Sequence, residues 1–494
     1  MMDPKNDAAF KIIDRTVIER ILETAYALLQ KPGLKVYNDD ALKLFDGAGA
    51  EVNYESRIVK LPRGLVEKAL KTTPRAVTLH NLKGVPEVHV EGNNYYPYPG
   101  TTAISVYDYE KKIFREAHSE DLKKFVKLVE KLPYIPVQSS FICNDVPDHF
   151  TDVYRLALAL KHSRKPIKTS LFTTKDSIQV MKDLLFAVSG GEKEFGEKPF
   201  AFVSVNADPP LMWNDFITQV LIECAKSNIP LSRGSMPVAG AAAPVTIIGS
   251  LIQHAAESLS SITLSQVVRP GSPGFYGSSP IIFDVRKGTT PMGAIESLMF
   301  NSGCSQIGKF LDIPTHLYMG LSDAKVIDTQ CGFESAMGIF LGALSGANLV
   351  AVGMLNFETA LSLENIVIAN EICGMAYRLL EGIKWREEDF TTKLWEEVGH
   401  AQEFLGTTHT IARFEQEQFK VSEVVHRSSI SDWEGKGRKD TAERAHDIVK
   451  RLLYTEVPKV VDPSTEDQLN RIIIEDAKRK GISQNQIPKA FFEN

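Results

Sequence analysis

Short apolar runs along this chain end repeatedly in residues that could do chemistry. Just past such runs stand Asn144, Phe172, Asn206, Asp208, Arg233, Tyr276, Tyr318, Asn356 and Phe357. The set is rich in rings and amides and poor in the paired carboxylates of acid–base catalysis or a His/Cys group at metal-ligand spacing. The sequence also lacks a G-x-S-x-G elbow, a P-loop and a G-x-G-x-x-G turn opening a helix. Arg233 supplies the fixed positive charge of the set, suited to gripping a carboxylate or phosphate, or to a structural ion pair.

Two further stretches carry candidate groups. YYPYPG places Tyr95, Tyr96 and Tyr98 beside two prolines. Rings on a rigid loop suit a cation–π cage for a quaternary ammonium, and a packed aromatic turn is the simpler alternative. YMGLSDAKVIDTQCGFE carries Asp323, Lys325 and Asp328, acids that either ligate something or cap a helix. A metal-dependent hydrolase would use His316, Asp323 and Asp328 as ligands. In SRGSMPVAGAAAPVT, by contrast, the chain from Gly234 through Gly240 and Ala241 to Ala243 offers almost no bulk. That stretch suits either tight packing of helix on strand or the close approach of something large.

These residues need a scaffold, and the pattern from Ala117 onward describes one. Helical stretches alternate with strand-like runs: VQSSFIC, KPIKTSLFT, FAFVSVNADPP, IPLSRG, GFYGSS, THLYMG and ANLVAVGM. Their spacing of roughly 30 to 43 residues predicts an α/β fold, a (β/α)8 TIM barrel, whose chemistry lies where strands end. The eighth strand is expected before Ser119, in TTAISVYDY, which could instead be half of a hairpin with KKIFREA. Residues 1–92 read as an N-terminal α+β cap, 93–384 as the barrel and 385–494 as a charged helical extension packing on the barrel or on a neighbouring subunit.

Composition narrows the classes. A net charge of −6 over 494 residues, with 24% charged, does not point to nucleic acid or an anionic membrane. The charge-free run from Ile339 to Phe357 is nearly long enough to span a bilayer. Its Gly-Ala-Asn centre argues for a helix, a turn and a buried strand. Five scattered cysteines without a C-x-x-C pair, and an acidic opening MMDPKNDAAF, predict a cytoplasmic protein with free buried thiols.

The stretches RGSMPVAGAAAPVT, GFYGSS, HLYMGLSDAKVIDTQCGFE and GANLVAVGMLNFE together resemble the trimethylamine methyltransferase superfamily over nearly the whole chain. The resemblance implies a TIM barrel that accepts a methylamine and then a separate corrinoid protein, passing a methyl group from nitrogen to Co(I). Members using trimethylamine carry pyrrolysine near the stretch corresponding to Tyr318–Lys325, where this chain has only standard residues. It therefore implies the branch that demethylates betaines, with glycine betaine giving dimethylglycine; proline betaine, carnitine, γ-butyrobetaine and a non-catalytic betaine-binding barrel are the alternatives. On this reading Tyr95, Tyr96, Tyr98, Phe172, Asn206, Arg233, Tyr276 and Phe357 bind substrate. Gly234, Gly240 and Ala241 leave room for the corrin ring. The cobalamin belongs to a partner protein, the chain needs no metal of its own, and a homo-oligomer is expected.

Overall fold

The computed structural model describes residues 10–400, 402–455 and 459–493; the opening residues read for a leader lie outside them. Seven parallel strands form the centre: β1 (Tyr96–Pro99), β2 (Ile167–Thr169), β3 (Ala201–Ala207), β4 (Leu231–Ser235), β5 (Gly274–Gly277), β6 (Thr315–Gly320) and β7 (Leu349–Val352). β1 pairs with β7, and the remaining strands follow in order around to β2. The gap between β2 and β1 is filled by residues 137–140, where Gln138 makes an isolated parallel bridge to Ile167 and the Ser139 hydroxyl donates to the Gly100 carbonyl at 3.4 Å. The result is a nearly closed (β/α)8-type barrel wrapped by helices. VQSSFIC thus supplies a bridging segment in place of a full strand.

The first strand corrects the sequence expectation. It is YPYP, while Ser105–Asp108 of TTAISVYDY forms a hairpin with Ile113–Glu116 and a short parallel pair with Ala360–Leu361. Two prolines argue against a strand, yet here they cost no ladder bond. Tyr96 and Gly100 donate to the carbonyls of Asn348 and Val352, so Pro97 and Pro99 fall on the alternate positions that turn away from β7, toward the bridging residues 137–140.

Around the barrel, the helix Arg15–Gln30 and the helix Arg63–Thr72 pack on the long helix Ile247–Val268, and the strand Leu34–Val36 pairs with Met212–Trp213 of a barrel loop. Near the other end of the chain, Thr441–Tyr454 packs on Leu363–Leu380, and Pro463–Arg479 packs on Asp148–His162 and Asp176–Ser189. The run from Ile339 is the end of the helix Thr329–Leu344 followed by β7. Among the described residues no helix is long and apolar enough to cross a membrane, and all five cysteines are free and buried.

Gly234 is small for a reason internal to the barrel. A Cβ there would lie 1.6 Å from the carbonyl oxygen of Gly277 on the neighbouring strand β5. Gly240 answers to a different constraint: with φ +93 it turns the exposed loop in which Ala241, Ala242 and Ala243 all donate to the Val238 carbonyl. Gln253 pins that turn by donating to Ala242 at 2.9 Å. Gly234 therefore cannot serve as part of an exposed rim, whereas Gly240 and Ala241 do lie on one.

The loop after β6 is tied down by acids. Asp323 accepts from the backbone N–H groups of Met292 and Gly293 at 2.8 and 2.9 Å, and Glu334 accepts from the Ser322 hydroxyl and the Asp323 N–H. Burial, and then the neighbouring Glu334, push the Asp323 carboxyl up to about 6. A folded-state value above the unfolded one means that protonation favours the fold, so this contribution is complete below the unfolded pKa and is lost as pH rises through the folded one.

Two outcomes follow from these packings. Gly234→Ala should lower stability by about 3 kcal/mol or leave no folded protein, since strand backbone rather than a movable side chain is in the way; a melting temperature equal to wild type would refute the close-approach account. Asp323→Asn should flatten the decline in stability between 3.8 and about 6, measured by denaturant titration across that window. An unchanged slope would show that Asp323 titrates as an ordinary carboxylate.

Candidate active site

Side chains alternate between the interior of the barrel and the helix layer. The lower interior is an aromatic stack: Phe202 lies edge-on to Tyr98, Phe275 and His316 at ring separations of 6.3, 5.3 and 5.3 Å, and Tyr98 stacks on His316 at 5.1 Å. His316 is bracketed by the Ser232 hydroxyl on Nδ1 at 2.7 Å and the Tyr98 hydroxyl on Nε2 at 2.6 Å. Burial, reinforced by the charge of Lys168, holds its pKa well below the usual imidazole value, so the ring is neutral.

Above this stack sits a buried pair of opposite charges. Lys168, on β2, donates to the Thr101 hydroxyl at 2.6 Å and to the Ser170 hydroxyl at 3.0 Å. Glu358, just past β7, accepts the Thr101 N–H at 2.9 Å. Burial pulls the lysine down and the glutamate up, each toward neutrality, and their mutual attraction opposes this. Tyr318 joins them from β6, its hydroxyl pushed up by burial and by Glu358.

Glu358 reaches this position through an uncommon backbone. Asn356, Phe357 and Glu358 have φ of 49, 58 and 70, three consecutive non-glycine residues in the left-handed region. Each costs on the order of 1–3 kcal/mol and is held only by its surroundings. Here Asn356 donates to the Ala324 carbonyl and to the Thr359 hydroxyl, and Thr359 donates back to the Asn356 carbonyl.

The residues expected at the site divide by strand parity. Tyr98 points inward. Arg233 and Tyr276 point outward, because Ser232 and Gly234 on β4 and Phe275 and Gly277 on β5 take the inward positions. The Arg233 guanidinium is fully buried against Ile247–Val268, donating to the Ser265 hydroxyl at 2.8 Å, and Tyr276 bonds His254 of the same helix at 3.1 Å. Tyr95 packs outside on Tyr377 at 5.7 Å, and the Tyr96 hydroxyl, at the start of β1, accepts the His89 N–H at 3.2 Å. At the mouth, Phe357 carries the Lys325 ammonium 4.0 Å from its ring centre, and Phe172, 47% exposed, carries Arg155 at 5.1 Å. Asn206 accepts from the Ser278 hydroxyl at 2.8 Å.

The metal-ligand grouping does not assemble. His316 lies in the barrel interior, Asp323 holds two backbone N–H groups, and Asp328 caps Thr329–Leu344 by accepting from Cys331 at 3.1 Å. Among the described residues no three His, Cys, Asp or Glu side chains are placed to hold an ion. Sequence reasoning missed Lys168, Glu358 and Thr101. A lysine inside the strand-like run KPIKTSLFT was the available signal for the first; the other two are brought in by the closure of β7 on β1.

Comparisons with known proteins agree with this architecture. The chain matches the trimethylamine methyltransferase (MTTB) family over residues 3–481. It is 27% identical to trimethylamine methyltransferase MttB of Desulfitobacterium hafniense, over 93% of this chain and 92% of that one. It is 28% identical to the glycine betaine methyltransferase of another strain of that species, over 96% and 98%. It is 30% identical to trimethylamine methyltransferase MttB1 of Methanosarcina mazei, over 88% and 89%. In fold it is similar to the monomethylamine methyltransferase MtmB of Methanosarcina barkeri, with a TM-score of 0.52 at 14% identity, covering 90% of this chain and 89% of that one. With the match running along nearly all of a barrel of this build, the chain belongs to the trimethylamine methyltransferase family.

Proposed function

We propose that this protein takes a methyl group from a quaternary amine, glycine betaine, and delivers it to Co(I) of a corrinoid carried by a separate protein, leaving dimethylglycine. The observation that carries this reading is the buried Glu358 carboxylate beside the ring of Tyr318, at the end of the barrel where such folds bind substrates. Ring faces and one carboxylate recognise a cation that has no N–H to offer. Relatives bearing the names glycine betaine methyltransferase and trimethylamine methyltransferase support methyl transfer from a methylated amine.

The leaving group selects the quaternary donor. As Co(I) supplies an electron pair to the methyl carbon, the N–C bond breaks with its pair returning to nitrogen. From glycine betaine that nitrogen leaves as the neutral tertiary amine dimethylglycine, and the acceptor becomes methyl-Co(III). Free trimethylamine would leave as an amide anion, and this chain contains only standard residues with which to activate it. No proton moves in the transfer, so the protein's contribution is alignment and exclusion of water.

The acceptor must reach the methyl group from the mouth. Gly240 and Ala241 are exposed there, as are Val245 at 64% and Ile248 at 42% of their surface. A low, apolar rim of this kind suits a transient approach by a large flat ring and its carrier.

A screen of quaternary and tertiary amines with Co(I) cobalamin or the corrinoid protein, followed by absorbance, tests the proposal. Formation of methyl-Co(III) from glycine betaine and none from trimethylamine is expected; equal rates from both, or binding without transfer, would overturn it. Replacing Tyr318 or Phe357 by leucine should weaken binding of the quaternary ammonium by about three-fold to thirty-fold, while Tyr276→Leu, on the outer face of β5, should leave the affinity of folded protein unchanged. Calorimetric titration separates these outcomes.

A further inference from the structure

Resting on the preceding reading, we propose that Lys168 and Glu358 together form a receptor for a zwitterion, Lys168 taking the donor's carboxylate and Glu358 facing its ammonium, so that the enzyme selects betaines over quaternary amines that lack an acid. Arg233, the cation first expected in this role, is sealed behind β4 against Ser265. Lys168 is then the lysine placed inside the barrel, 2% exposed, with Glu358 at 3%.

Neither charge is neutralised by direct contact as the site stands. Lys168 spends its hydrogen bonds on two hydroxyls, and Glu358 takes a backbone N–H; Thr101 stands between them, bonded to both. Hydroxyls satisfy donors without cancelling charge, and a charge buried in this way is held at a cost unless an opposite charge meets it. The neighbouring groups do not complete the balance. Arg155, paired with Asp152, adds positive potential at Lys168, and His316 is held neutral. A ligand carrying both signs would supply the missing complement to each group at no change in net charge.

The backbone adds an independent argument. Three consecutive residues are held in the left-handed region, and the last of them is the glutamate that this turn aims inward. Strain is retained where surroundings over-determine it, commonly at ligand sites. Tyr318 closes the same corner of the interior, its hydroxyl buried beside Glu358 and the Ser204 hydroxyl.

The test compares two ligands on the intact protein by calorimetry at pH 7: glycine betaine and its methyl ester, which keeps the ammonium and loses the acid. Wild type should bind the acid at least about thirty-fold more tightly, as expected for a buried charge pair. Lys168→Met should abolish that preference while leaving the ester's affinity within about two-fold, Lys168→Arg should keep it, and Glu358→Gln should weaken both ligands. Equal affinities for the two ligands on wild type, which needs no variant to fold, would overturn the inference, as would a parallel loss of both in Lys168→Met. In either case, betaine-dependent methyl-Co(III) formation by wild type would leave the methyl-transfer reading standing; wild type that binds neither ligand and methylates no cobalamin would remove both.

Discussion

Closure of a parallel barrel forces every strand to divide its side chains between a crowded interior and a helix layer, and the arrangement of this protein follows from which residues fall on which side. On β4 the inward set is serine and glycine, and on β5 phenylalanine and glycine; the large polar Arg233 and Tyr276 are sent outward to Ile247–Val268. The same parity brings Tyr98, Lys168, Phe202, Ser204, His316 and Tyr318 together. The close passage of β4 past β5 at Gly234 and Gly277 belongs to this constraint as well, since a Cβ at either would strike the neighbouring strand.

Within that interior, polarity is graded along the barrel axis. The lower part is a stack of rings around a neutral histidine whose two nitrogens are both engaged. Higher up, charges appear and are held apart by Thr101. The hydrophobic layers outside make such an arrangement affordable: the N-terminal helices and the last long helices press on the barrel helices, and the favourable burial of that extensive apolar surface can offset the unfavourable burial of one lysine and one glutamate. Local strain at residues 356–358 fits the same picture, because the loop is fastened on one side by Ala324 and on the other by Thr101.

Much of this was legible in the chain. Alternation of apolar runs with helices located six of the seven strands, the remaining run at Gln138 occupies the expected place as a bridge, and motif resemblance agreed with the family. YPYP escaped notice because proline is read as incompatible with a ladder, and only the neighbour's register shows that the missing donors turn away from β7. At the site, Tyr318 and Phe357 were within reach of a rule about strand ends, whereas Tyr98 was read as a ring on a rigid loop and lies instead within β1. Arg233 and Tyr276 defeated the same rule, since a strand end read from sequence is uncertain by a residue or two and one residue reverses the side on which a group stands.

What the sequence determined by itself was therefore the barrel, its approximate strand positions and a chemistry of rings and cations, because these depend on periodicity and residue type. The tertiary structure alone decided that Lys168 and Glu358, far apart in the chain, meet across one threonine. That meeting requires the last strand to close on the first and a left-handed turn to swing the glutamate inward. Long-range register and backbone handedness at a single loop leave no mark in local pattern, and it is on these two that the charge arrangement of the site depends.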